Sequence, residues 1–325
     1  IGRKPVLIIG LLGACASYLL IILADTILQM GLARLFGGLM AGNIGAAFAA
    51  AADLADDKTR ARNMGILGAA FGFGFIVGPA LAGFAIGETA TEADFHRLCL
   101  YAAGFAALAA IVALAAFRET APLGERRAPA PARFSMLRAR PILAQLVLGM
   151  FLMITAQAVM ETIFGIWANE RIGWTMREVA YLMASLGLIT VLMQGGGAGA
   201  LARRFGEAKV YGAGLLLFVI GFAILAFAAA APAALAGLGF LAVGAGLAQP
   251  ALQSLIAAQA APQERGAVMG LSQSASALGR AVGAVAAGPI YDAFGAGAPY
   301  LFGVALLVLA LAPAMARPAA LKPGS

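Results

Sequence analysis

A chain of 325 residues with 62% apolar side chains and only 11% charged ones carries less than half the charge of a soluble domain, where about 25% is usual, so it reads as a membrane protein. The formal net charge of +7 does not point to nucleic acid, because the basic residues sit in short segments between apolar runs and no basic run has interleaved aromatics. Cys15 and Cys99 fall inside apolar segments and the single histidine, His96, lies in a loop, so no disulfide framework, metal site or cofactor is expected.

Ten apolar spans follow one another, at about 6–24, 28–52, 64–86, 98–117, 142–168, 179–201, 210–230, 233–257, 267–290 and 297–315, each read as a helix crossing a hydrocarbon core of about 30 Å. Arg3 and Lys4 stand just ahead of the first. In the second, within GLARLFGGLMAGNIGAAF, Arg34 lies about six residues, or about 9 Å, from the outer end. Gly37, Gly38 and Gly42 imply close helix packing around it, and the arginine either faces the interior or snorkels to the interface. Asn43 is a further polar side chain of this span. Asp53 falls at its C-terminal end, where the helix macrodipole disfavours an anion, so a cation from Arg3, Lys4 or the Arg60–Arg62 loop is expected beside it.

The third span contains the uncharged stretch 64–84, MGILGAAFGFGFIVGPALAGF, with six glycines, the sixth being Gly68. At about 100° per residue Gly74 and Gly78 share one face while Gly65, Gly72 and Gly83 cluster near the opposite one, so the helix is smooth on two sides and can approach neighbours closely. Pro79 removes a backbone bond and can kink it. The fourth span holds almost no polar side chain. The segment 118–140, RETAPLGERRAPAPARFSMLRAR, reads as a linker from its Pro, Arg and Ala content. It separates an N-terminal bundle at 1–117 from a C-terminal six-helix bundle at 141–325.

Polar side chains are unevenly spread over the later spans. Gln157 and Glu161 lie in the fifth, Gln194 in the sixth, Gln249 and Gln253 in the eighth, and Gln273 and Arg280 in the ninth, whereas the spans beginning at 210 and 297 carry none beyond a tyrosine near each start. Polar groups in lipid face a cavity or a partner helix. Arg280 lies about 20 Å into its helix, and Glu161 is the acid of the same half that could serve it as counter-ion, directly or through water. A membrane enzyme would need clustered acids or histidines, and Glu161 is the only acid well inside a span, so no enzymatic activity is expected.

Lysine and arginine crowd the loops on one side: Arg3, Lys4, Lys58, Arg60, Arg62, the linker arginines, Arg203, Arg204, Lys209 and Arg265. The opposite loops carry only Arg97, Arg171 and Arg177. This places Ile1, the linker and the C-terminus in the cytoplasm. The chain also repeats itself: Met64-Gly65 and Gly74, Gly78 and Gly83 match Met269-Gly270 and Gly279, Gly283 and Gly288, all 205 residues further on. Two related halves in parallel register follow. By that register about 60 residues holding two helices are expected ahead of Ile1, for twelve in all.

The glycine spacing around Gly65, Gly74, Gly78, Pro79 and Gly83 resembles the fifth-helix signature of antiporters in the major facilitator superfamily, with Ala82-Gly83 where Gly-Gly is usual. The opening GRKPVL resembles the end of that family's loop signature between helices two and three, which implies that Arg3 pairs with Asp53 in gating. Arg34 resembles the family's helix-four arginine, which implies a part in proton transfer. Together with PALQSLIAAQAAPQERGAVMG at 250–270, these motifs are similar to the tetracycline-resistance branch of the drug:proton antiporters. That branch carries an acid before a tyrosine in helix three. Here Ser17 precedes Tyr18, so a relative with another substrate fits as well.

The resemblance implies an all-α, two-bundle fold in which ten of twelve transmembrane helices are present. It implies proton-coupled efflux of a small amphipathic compound by alternating access, in a multi-pass protein of the cytoplasmic membrane. Asn43, Gln157, Gln194, Gln249 and Gln253 are the cavity candidates, and Arg3, Lys4, Arg34, Asp53, Glu161 and Arg280 the coupling and gating candidates. The expected partners are a small-molecule substrate, protons and the bilayer, with the chain acting as a monomer. Import of a metabolite in the same fold is the alternative.

Overall fold

The computed structural model describes residues 2–40, 46–47, 50, 60–87, 90–119, 133–260 and 264–316, and these are almost wholly helical, with no strand among them. The chain divides into two units, Ile1–Arg127 and Ala128–Ser325.

The first unit comprises α1 (Arg3–Ile22), α2 (Ile27–Met40), α3 (Arg60–Ala85) and α4 (Glu92–Ala116). Helix α1 packs on α2 and α4 around a small core of Ile21, Ala33 and Cys99. The Ser17 hydroxyl donates to the Ala33 carbonyl at 2.7 Å, and Gly37 gives it room: a Cβ there would lie 2.5 Å from Ser17 Oγ. Helix α4 starts in a capping box, Thr91 accepting from the Asp94 amide while the Asp94 carboxylate accepts from the Thr91 amide. Pro79 lies inside α3 without ending it.

The second unit comprises α5 (Arg133–Ala139), α6 (Pro141–Ile172), α7 (Met176–Leu192), a π-helical turn (Met193–Gly197), α8 (Ala198–Phe205), α9 (Glu207–Phe227), α10 (Ala231–Ala258), α11 (Arg265–Phe294) and α12 (Ala298–Ala316). Proline at the first position starts α6, and Gly173, at φ 78°, ends it in the left-handed conformation. Thr175 and Glu178 then cap α7 reciprocally. Glu178 precedes the apolar span at 179–201, and the Thr175 amide and hydroxyl hold its carboxyl below the usual range.

Helix α6 is the spine of this unit. Phe164 and Trp167 are fully buried, and Trp167 meets Tyr300 of α12 with ring centroids 5.3 Å apart. Glycine sets the closest approaches. A Cβ on Gly214 of α9 would lie 2.6 Å from the Ala248 amide nitrogen of α10, and one on Gly244 of α10 would lie 2.8 Å from the Gly214 carbonyl oxygen. With little hydrophobic drive between helices in lipid, such backbone approach is what binds them.

Two local features differ from the sequence expectation. The linker segment contains α5, because Met136 finds a buried place beside α6. The span 179–201 is not one α-helix. The run Gly195, Gly196, Gly197 opens a π turn between α7 and α8. Among the described residues five helices, α1, α4, α6, α9 and α10, are by themselves long and apolar enough to cross a bilayer. Helix α11 is long enough at 30 residues but too polar, owing to Gln273, Arg280 and its serines.

Candidate transport site

Helix periodicity places Gln157 and Glu161 one turn apart on α6, and the Gln157 amide donates to Glu161 Oε1 at 2.7 Å. Thr155 faces another way, buried, its hydroxyl donating to the Phe151 carbonyl at 2.7 Å. Against that face lies α11. A Cβ on Gly279 would stand 2.7 Å from the Phe151 carbonyl oxygen, and one on Gly283 would stand 2.5 Å from that of Thr155. These two glycines seat α11 on α6 and fix where Arg280 projects.

Arg280 is exposed on this unit. On a helical projection it points away from Leu278, Val282 and Val285, the large exposed aliphatics of α11 at 58%, 41% and 76% exposure. The angular separation from the middle of that apolar face is roughly 165° at 100° per residue. The expected ion pair with Glu161 is not formed. Gly279 and Gly283 hold Arg280 level with Thr155, six residues or about 9 Å along α6 from Glu161. The Glu161 carboxylate is meanwhile bound to Gln157 of its own helix.

The other polar candidates of this unit lie on α10 and the π turn. Gln249 and Gln253 are half-buried on α10, and Gln194 is exposed in the π turn. Thr190, one turn ahead of Gln194, donates to Leu186 of its own helix at 2.9 Å and reaches the Ala242 carbonyl of α10 at 3.4 Å. A Cβ on Gly246 would lie 2.6 Å from Met193 Cβ, so the π turn is tied to α10 at its first residue.

In the first unit Arg34 is exposed, with its guanidinium 5.4 Å from the centroid of the Tyr18 ring, within range of a cation–π contact. The opening signature is anchored by a group that sequence reading overlooked. The Glu119 carboxylate accepts from the Arg3 amide at 2.7 Å and from the Lys4 amide at 3.1 Å, and Lys4 Nζ donates to the Leu114 carbonyl at 2.8 Å. Gly2 leaves the space, since a Cβ there would run into Glu119. An acid just beyond the fourth span was the available signal: a carboxylate stabilises the positive end of a helix wherever it comes from in sequence. Replacing Glu119 with alanine is expected to raise amide hydrogen exchange at residues 3–7 by roughly tenfold, about the worth of one N-cap. Unchanged exchange there would show that the cap contributes nothing.

Asn43 and Asp53 lie outside the described residues, as do the side-chain surroundings of Gly65 and of Arg60 to Arg62. Gly83 is buried in its unit, whereas Cβ atoms on Gly74 and Gly78 would meet nothing within 4 Å. Two further contacts join segments far apart in sequence. Arg140 bridges to Glu264 at 2.8 Å and donates to the Gln259 carbonyl at 3.3 Å, tying the start of α6 to that of α11. At the other ends of the same helices the Tyr291 hydroxyl donates to the Glu170 carboxylate.

The family model for the Major Facilitator Superfamily matches residues 1–198 and again 196–324. The class D tetracycline resistance protein of Salmonella ordonez is 31% identical over 333 residues, covering 98% of this chain and 82% of that one. The class C protein of Escherichia coli is 30% identical over 326 residues, covering 97% and 80%. Among solved structures, that of the human organic anion transporter MFSD10 (TETRAN) superimposes with a TM-score of 0.72 at 26% identity, covering 96% of this chain and 77% of that one.

Proposed function

The chain belongs to the major facilitator superfamily, and from that premise we propose that it exports a small amphipathic compound against proton entry, by alternating access in the cytoplasmic membrane. It is a multi-pass membrane transporter rather than an enzyme. The observation that carries the finer reading is the uneven placing of polar groups. Gln157, Glu161, Gln194, Gln249, Gln253, Gln273 and Arg280 lie on α6, the π turn, α10 and α11, while the interiors of α9 and α12 carry only apolar side chains beyond Tyr211 and Tyr300. Polar groups are costly in hydrocarbon, so helices that carry them serve an aqueous path and helices that lack them face lipid.

The antiporter-type glycine spacing and the relatives' names, tetracycline resistance in one set and organic anions in another, favour export of a drug-like compound over import of a metabolite. Glu161 is the proposed proton carrier, being the acid placed within a span and open to exchange at the surface of its unit. The lysine and arginine distribution sets the linker and C-terminus in the cytoplasm. The chain is proposed to work as a monomer.

Reconstituted protein, expressed from its full coding sequence, tests this. With a pH-sensitive dye inside proteoliposomes, addition of a transported compound should move protons opposite to it, and collapse of the proton gradient should stop its movement. Transport that persists without any proton gradient, or protons that move in the same direction as the compound, would overturn the antiport reading.

A further inference from the structure

We propose that the transported compound carries an acidic group and that Arg280 receives it. This deepens the transporter reading and rests on it for the placing of α11 in a membrane. Within the described parts of the ten apolar spans the charged side chains are Arg34 in the first unit and Glu161 and Arg280 in the second. Each has a different degree of engagement. Glu161 is bound by Gln157. Arg34 lies over the Tyr18 ring, beside a Ser17 that is neutral and committed to the Ala33 carbonyl. Arg280 makes no hydrogen bond or ion pair with any described residue.

A charge at that depth is costly unless compensated, and a guanidinium turned away from the aliphatic face of its helix has no route to snorkel outward along that face. No described residue compensates it, which leaves that place open to a mobile anion. The geometry favours a bound anion. Gly279 and Gly283 press α11 onto the backbone of α6 and hold Arg280 on a rigid element, which lowers the ordering cost of recognition. Ala277 and Ala284, exposed on the same face, leave room around the planar fork, which pairs with a carboxylate or enolate through two parallel hydrogen bonds. Gln273, two turns back on the same face, adds a neutral donor.

Binding to purified full-length protein decides the matter independently of transport. The probes are 6-carboxyfluorescein as the anion, an uncharged BODIPY dye as the neutral control and ethidium as the cation, read by fluorescence polarisation. Wild-type protein should prefer carboxyfluorescein to both others. Arg280→Gln should weaken the anion by roughly tenfold to a hundredfold, the worth of one charged hydrogen-bonding partner, and leave ethidium unchanged, while Arg280→Lys should lose less. Should the glutamine variant fail to fold, Ala284→Glu supplies the second measurement. One turn along the same face, the new carboxylate would occupy Arg280, and anion binding should fall likewise. Ethidium binding equal to or tighter than the anion, or anion affinity indifferent to both substitutions, would overturn the proposal. If Arg280-dependent anion binding is found but no probe is moved by a proton gradient, the antiport reading fails and this one stands.

Discussion

Glu161→Gln is expected to abolish proton movement coupled to export while leaving the protein folded and able to bind its substrate. The carboxylate is exposed on its unit and accepts from the Gln157 amide, one turn away on the same helix. Glutamine keeps the size of the side chain and an acceptor oxygen for that amide, so packing is not disturbed. The one property removed is the ability to take up and release a proton. Counterflow of labelled substrate, which needs no net proton transfer, should survive in the variant, and gradient-driven accumulation should fall to the level of empty vesicles. Proton-coupled transport at the wild-type rate would remove Glu161 from the mechanism.

Gly283→Ala is expected to destabilise the second unit more than any other substitution of comparable size on α11. The added methyl would sit 2.5 Å from the Thr155 carbonyl oxygen, 2.8 Å from Ala158 Cβ and 3.2 Å from the Val159 amide nitrogen, all parts of α6 that cannot swing aside. The helices must separate, and overpacking of this kind costs about 1–3 kcal/mol. Gly239→Ala on α10 is the control, since nothing lies within 4 Å of its new methyl. Thermal unfolding in detergent should show a clear fall for Gly283→Ala and none for Gly239→Ala. Equal melting of the two variants would mean that the α6–α11 seam adapts more readily than its backbone contacts imply.

The same glycine spacing serves differently in the two repeats. Gly279 and Gly283 are spent on the α6 backbone, while their counterparts Gly74 and Gly78 present an open face in their own unit. Sequence reading identified Gly74 and Gly78 as a face for close approach and Gly279 and Gly283 as their repeats, because the absence of a side chain is visible in sequence, but the identity of the neighbour is not. Glu119 shows the same limit from the other side. It caps the first helix of its unit from just beyond the last one, more than a hundred residues away, and no local pattern links them. The Gln157–Glu161 bond, by contrast, needs only the periodicity of one helix.

The chain's hydropathy determined by itself that it spans a membrane several times and which apolar segments carry polar groups. Transfer of a side chain into hydrocarbon is a property of that residue and its immediate neighbours, so it can be summed along the sequence. The internal repeat and the glycine signatures likewise pointed to the family by sequence alone. Tertiary structure decided which partners the described polar groups meet. Arg280 and Glu161 were plausible counter-ions from their depths alone. They do not meet, because Gly279 and Gly283 contact the face of α6 formed by Phe151, Thr155, Ala158 and Val159, and Glu161 stands roughly 100° around the helix from that face as well as about 9 Å along it. Helix register depends on which backbones approach closest, a sum over residues distant in sequence, and the pairing of charges follows from it.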